Sequence, residues 1–246
     1  MSPGEVYQLA QAKRSLLCVA LDPAPEALPP SVWKGGLSQI ERYLREVIDI
    51  TSSQAIAYKL NTAFYEQWGE AGWGLLRRLR QALPSEALAI ADAKRGDIAY
   101  TSKAYARAFF EDLSFDAITV HPYMGWEALQ PFWSWGGKWV FVLLRTTECP
   151  PWQETIWPSI IRERPKDASA TIGWVWGAHH AADMGFFRSL CPEDWLLVPG
   201  LGAQGGTLSE DSRWFPAFLV VGRAILAAPE ETNSWVFRTA QFLPRS

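Results

Sequence analysis

The chain has 246 residues, 48% hydrophobic and 20% charged, which is enough to bury one sizeable core without disulfides. Its formal charge of -3 and the absence of any long basic run exclude a general electrostatic grip on nucleic acid. Cys18, Cys149 and Cys191 are far apart and lack metal-ligand spacing, so a reducing compartment, the cytoplasm, is the expectation. Met1 to Arg14 lacks the apolar centre of a signal peptide and reads as a first turn or helix. No apolar stretch nears the roughly 18 residues needed to cross a bilayer. The fourteen tryptophans are scattered and read as packing and helix-surface residues with no cofactor role.

In chain order, the first apolar run is Leu16 to Leu21, followed by an amphipathic stretch from Leu37 to Ile50. Ala55 to Leu60 comes next, then a helical stretch from Thr62 to Ala82, with Leu75, Leu76, Leu79 and Leu83 on one face. Ala87 to Ala93 is the third run, with a helical Thr101 to Leu113 after it. Ala117 to Val120, Trp139 to Leu144 and Ile172 to Trp176 follow, and Ala178 to Leu190 again reads as a helix. Trp195 to Val198 and Phe218 to Val221 complete eight runs. Their Val, Ile and Leu content and lack of strict alternation fit strands buried on both faces. Strand alternating with helix predicts a parallel sheet with right-handed crossovers. Eight repeats without a composition break, in a length near 250, predict a single-domain (β/α)8 TIM barrel over residues 1–246. No GxGxxG follows the first run, which argues against a dinucleotide-binding sheet.

In such a barrel the chemistry sits at the carboxyl ends of the strands. Asp22, Lys59, Asp92, Lys94, His121, Arg145 to Thr147, Pro199-Gly200 and Gly222-Arg223 all fall there. The densest cluster is Asp92-Ala93-Lys94-Arg95-Gly96-Asp97. Alternation along a strand directs Asp92 and Lys94 to the same side. Gly96 permits a sharp turn, and Asp97 caps or precedes a helix starting near Thr101. A surface ion pair with a helix cap is the plainer reading of this motif; its place at a strand end opposite Lys59 favours a site. Further on, Pro199-Gly200-Leu201-Gly202-Ala203-Gln204-Gly205-Gly206 supplies backbone N–H groups that can approach a phosphate. Arg223 adds a guanidinium fork suited to a dianion. His179-His180 read as capping or surface residues.

Together these segments resemble orotidine 5'-monophosphate decarboxylase, specifically its second bacterial branch, in order over nearly the whole chain. The carriers are Leu21-Asp22-Pro23, Tyr58-Lys59-Leu60-Asn61, the Asp92 to Asp97 segment with Ile98 and Thr101, Leu144-Arg145-Thr146-Thr147, the Pro-Gly-x-Gly-Ala-Gln-Gly-Gly loop and Val221-Gly222-Arg223. Two departures stand out. Glu148-Cys149-Pro150-Pro151 replaces a Ser-Asn-Pro-Gly type of sequence, leaving Thr147 as the base-contacting hydroxyl, and Leu60 stands where proline is common.

The resemblance implies conversion of orotidine 5'-monophosphate to UMP and CO2, with neither metal nor organic cofactor. It implies Lys94 as proton donor, Asp92 beside the departing carboxylate, and Lys59 aligning Asp92. Asp97 and Thr101 would cross from a partner subunit of a homodimer, and Asp22 would meet the ribose. Pro199, Gln204, Gly222 and Arg223 would hold the phosphate. A related barrel acting on sugar phosphates through a magnesium-stabilised enediolate shares the Asp-x-Lys-x-x-Asp pattern. A metal-dependent epimerase needs several strand-end ligands, of which only His121 is well placed. A catalytically silent barrel that binds a phosphorylated ligand is the reading of a different class.

Overall fold

The structure, a computed structural model, describes residues 1–201 and 212–243. Eight strands follow one another: β1 (Leu17–Ala20), β2 (Ala57–Asn61), β3 (Leu88–Arg95), β4 (Ala117–Val120), β5 (Trp139–Arg145), β6 (Thr171–Trp176), β7 (Leu196–Val198) and β8 (Ala217–Val221). Each pairs in parallel with the next, and β8 closes on β1 through Leu17, Cys18 and Val19. The expected eight-stranded α/β barrel is therefore borne out, and every predicted run overlaps a strand.

The helices follow from apolar spacing with local adjustments. Gly36–Thr51 buries Ile40, Leu44, Val47 and Ile48, one stripe at three- and four-residue steps. Pro3–Lys13 opens with a reciprocal capping box between Ser2 and Glu5. The stretch predicted as one helix from Thr62 is two, Ala63–Glu66 and Gly69–Ala82. The stretch predicted from Thr101 starts earlier, at Ala99, and passes after Ala106 into the wider turn Arg107–Asp112. That turn buries Phe109 and Phe110, neighbours in sequence. Ala178 to Leu190 is a tight turn, Ala178–Asp183, followed by the helix Met184–Leu190. Among the described residues no helix is long and apolar enough to cross a membrane.

Aromatic rings fill the amino-terminal end of the barrel. Trp139 opens β5, and its ring lies 5.8 Å from Phe141 and 5.8 Å from Phe218 on β8. Trp195 packs on Phe218 at 4.8 Å. Strands β5 and β8 are not neighbours, so these contacts cross the interior. Two of the tryptophans, Trp139 and Trp195, thus form part of the floor beneath the carboxyl-end rim, with their large apolar area as the stabilising element. Gly173 on β6 makes room for this floor: a Cβ there would meet the Phe141 ring at 2.6 Å and the Trp195 carbonyl at 2.9 Å. Gly173→Ala is expected to destabilise the barrel by about 1–3 kcal/mol through overpacking, read as a lowered urea midpoint with an unchanged slope.

Candidate active site

The carboxyl ends of β1 to β4 assemble a row of charges. Lys59, on β2, is 5% exposed, and its Nζ lies 3.1 Å from Asp22 Oδ2 and 2.9 Å from Asp92 Oδ2. Lys94 Nζ lies 2.5 Å from the other Asp92 oxygen. Asp22 Oδ1 also accepts the Asn61 backbone N–H at 3.0 Å. Acid and base alternate as Asp22, Lys59, Asp92 and Lys94, and their formal charges cancel.

Side-chain alternation is not what brings Asp92 and Lys94 together. The β3–β4 register shifts between Ala91 and Arg95, and Lys94 adopts φ +49°, a left-handed conformation that costs an L-residue roughly 1–2 kcal/mol. Thr119 on β4 holds this irregularity from both sides. Its hydroxyl accepts the Lys94 N–H at 2.9 Å and donates to Asp92 Oδ1 at 3.0 Å. Thr119 was not among the sequence-predicted site residues; its signal is a lone hydroxyl in the apolar run Ala117 to Val120.

Beyond Lys94 the chain turns out of the site. Arg95 pairs with Glu66 and lies over the rings of Tyr105 and Phe109 at 5.2 and 5.6 Å. Gly96 runs so close to His121 that a Cβ would meet the imidazole at 2.5 Å, and His121 Nε2 lies 3.0 Å from the Gly96 carbonyl oxygen. His121 therefore braces the turn. Asp97 precedes the helix and does not cap it: Ile98 is the cap residue, and Asp97 Oδ1 accepts the Ile98 N–H at 2.7 Å.

A cavity of about 780 Å³ opens over the charge row. Asp22, Lys59, Asp92, Lys94 and Thr119 line it, joined by Asn61 and Phe64, to which sequence patterning assigns no role. Thr146, Thr147 and Glu148 line it as well, as do Pro199, Gly200, Gly222 and Arg223. Gly222 precedes the short helix Arg223–Ala227, whose first N–H groups have no intrahelical acceptor. Gln204, with the rest of its glycine-rich loop, lies outside the described residues. Asp97 and Thr101 are not part of this chain's cavity wall. His180 is neither a cap nor a surface residue: its Nδ1 meets Arg145 at 3.1 Å and its Nε2 meets the Thr146 carbonyl at 2.9 Å. Among the described residues no three His, Cys, Asp or Glu side chains are grouped to hold a metal ion.

The charges sustain one another. Burial works against the Asp92 carboxylate, but Lys59 and Lys94 outweigh it and hold the group below the ordinary carboxylate range. Burial likewise works against the Lys59 ammonium, and Asp22 and Asp92 override it, holding it above the ordinary lysine value. A depressed carboxyl contributes stability that is fully present above its unfolded value of about 3.9 and lost as pH falls toward the folded one. A raised ammonium contributes stability that is fully present below about 10.4 and lost as pH rises through the folded value. Both contributions are intact at neutral pH. Asp92→Asn should accordingly lose less stability than the wild type between pH 5 and pH 2, measured by chemical denaturation; equal losses would show that Asp92 carries no such linkage.

The family model of the orotidine 5'-phosphate decarboxylase / HUMPS family matches residues 15–235. The chain is 40% identical over 240 residues to orotidine 5'-phosphate decarboxylase of Thermomicrobium roseum, covering 90% of this chain and 85% of that protein. It is 36% identical over 250 residues to the Roseiflexus enzyme of the same name, covering 93% and 89%. Among solved structures, Leishmania donovani OMP decarboxylase superposes with a TM-score of 0.76 at 32% identity, covering 96% of this chain and 100% of that one. The chain belongs to the orotidine 5'-phosphate decarboxylase / HUMPS family.

Proposed function

We propose that this protein decarboxylates orotidine 5'-monophosphate to UMP and CO2 in pyrimidine biosynthesis, without metal or organic cofactor and with Lys94 as proton donor. The observation that carries this reading is the charge row itself. Two lysines and two aspartates interleave in a cavity that Gly200, Gly222 and Arg223 also line. A sugar-phosphate enzyme working through a metal enediolate needs carboxylates turned toward the metal. Here Asp22 and Asp92 both face the Lys59 ammonium.

The substrate's phosphate would sit against Pro199, Gly222 and Arg223, with Gln204 of the adjoining loop, and the pyrimidine against Thr147. The ribose would lie near Asp22 and the Lys59 end of the row. The C6 carboxylate then meets Asp92, a like charge that disfavours the bound substrate and is relieved as CO2 departs. The C6–carboxyl bond breaks and its electron pair stays on C6. Lys94 stabilises that carbanion as a cation and transfers an ammonium proton to it, giving UMP and a neutral amine that regains its proton from water. Lys59 keeps Asp92 ionised and aimed throughout. Binding energy at the remote phosphate orients the reacting ring.

The same reading makes the enzyme a homodimer in which Asp97 and Thr101 complete the partner's site. Neither lines its own cavity, and Ile98 and Tyr100, their neighbours in sequence, are exposed at 56% and 86%, apolar surface suited to an interface. The reading places the enzyme in the cytoplasm, where the free Cys18, Cys149 and Cys191 stay reduced.

Lys94→Ala is expected to lower turnover of orotidylate by at least about 10⁴-fold, followed by the ultraviolet change of the pyrimidine, while UMP still binds by calorimetry. Residual turnover within tenfold of wild type would remove Lys94 from the role of proton donor. Mixing inactive Lys94→Ala with inactive Asp97→Ala should restore about a quarter of wild-type activity, because random exchange leaves one intact composite site in each mixed dimer. No recovery after verified subunit exchange would place Asp97 in its own chain's site.

A further inference from the structure

Behind the cavity wall at Thr146 and Thr147, the end of β5 is tied to the turn after β6 by polar side chains that the reaction scheme does not use. Arg145 is 4% exposed. Its Nη1 donates to Asp183 at 2.6 Å, and its Nη2 donates to Glu154 at 3.1 Å and to His180 Nδ1 at 3.1 Å. His180 Nε2 lies 2.9 Å from the Thr146 carbonyl oxygen. The Thr146 N–H donates to Gln153 Oε1 at 3.0 Å, and Gln153 Nε2 donates to the Thr146 hydroxyl at 3.0 Å. That hydroxyl in turn donates to the Glu148 carbonyl at 2.6 Å.

Counting donors and acceptors settles the state of the imidazole. A guanidinium only donates and keeps its proton in proteins, so Nδ1 must accept; a carbonyl only accepts, so Nε2 must carry the hydrogen. Only the neutral Nε2–H tautomer makes both contacts. The charged groups around the ring are Arg145 from β5, Glu154 from the helix Pro151–Arg162 and Asp183 from the turn that carries His180, and both carboxylates are engaged by Arg145. The backbone on either side is held: Gly177 N–H donates to the Arg145 carbonyl at 2.7 Å, and Trp176 Nε1 donates to the His180 carbonyl at 3.0 Å.

We infer that neutral His180 is a positioning residue. It clamps the Thr146 carbonyl and holds the Thr146–Thr147 segment against the cavity in the pose that receives the pyrimidine. The word pyrimidine rests on the decarboxylase reading; the clamp does not. His180→Gln keeps one donor and one acceptor, whereas His180→Phe removes both contacts. At pH 7.5, His180→Phe is expected to raise the KM for orotidylate about tenfold with kcat within about twofold, as loss of positioning hydrogen bonds implies, and His180→Gln to stay near wild type.

Hydrogen exchange over residues 146–153 gives a reading without turnover: protection should be lost in His180→Phe and retained in wild type and His180→Gln. Unchanged KM and unchanged protection in His180→Phe, or a His180→Gln variant that behaves like His180→Phe, would overturn the inference. Absence of turnover in the wild type would overturn the decarboxylase reading instead, and the exchange measurement would still decide the clamp.

Discussion

The site depends on Lys59 being buried between two carboxylates. A lysine at 5% exposure carries a desolvation cost that one exposed partner does not offset. Asp22 from the end of β1 and Asp92 from β3 bring two full charges within 3.1 Å of its ammonium. The dependence runs both ways: Asp92, itself nearly enclosed, remains ionised because cations stand on either side of it. Removing Lys59 would leave Asp22 without its lysine and Asp92 with Lys94 alone, so the row hinges on this one ammonium. Adjacent parallel strands β1, β2 and β3 set its spacing.

On that rigid base, Lys94 is held in a backbone state it would not choose. Its left-handed conformation persists because the Thr119 hydroxyl replaces a ladder partner for its N–H and because the turn at Gly96 is braced by His121. Strain of this kind is retained where surrounding contacts over-determine it. Here it directs an ammonium group at 47% side-chain exposure over Asp92 and into the cavity, while the next residue, Arg95, is drawn outward by Glu66 and two aromatic rings.

Stability and chemistry occupy opposite ends of the barrel. The rings of Trp139, Phe141, Trp195 and Phe218 form a dry floor at the amino-terminal end, and the polar groups gather at the carboxyl-end rim. A packed floor of this kind resists deformation, so the rim can vary without loss of fold. The departure at Glu148-Cys149-Pro150-Pro151 illustrates that freedom: Pro151 begins a helix, and Arg145, Gln153 and His180 secure the preceding threonines by side-chain contacts.

By itself the sequence determined the eight apolar runs, their parallel order and the rim on which Asp22, Lys59, Asp92 and Lys94 end, because those properties follow from local hydrophobicity and strand polarity. It also carried the family resemblance, since that rests on short contiguous segments. Tertiary structure decided the rest. The helix start at Ala99, the bulge at Lys94, the hydroxyl of Thr119 and the clamp at His180 each depend on partners between 25 and 35 residues away, or on packing that no local pattern encodes. His180 reads as a surface residue in one dimension, because nothing near it in sequence announces the guanidinium and carbonyl that meet it once β5 and β6 lie side by side.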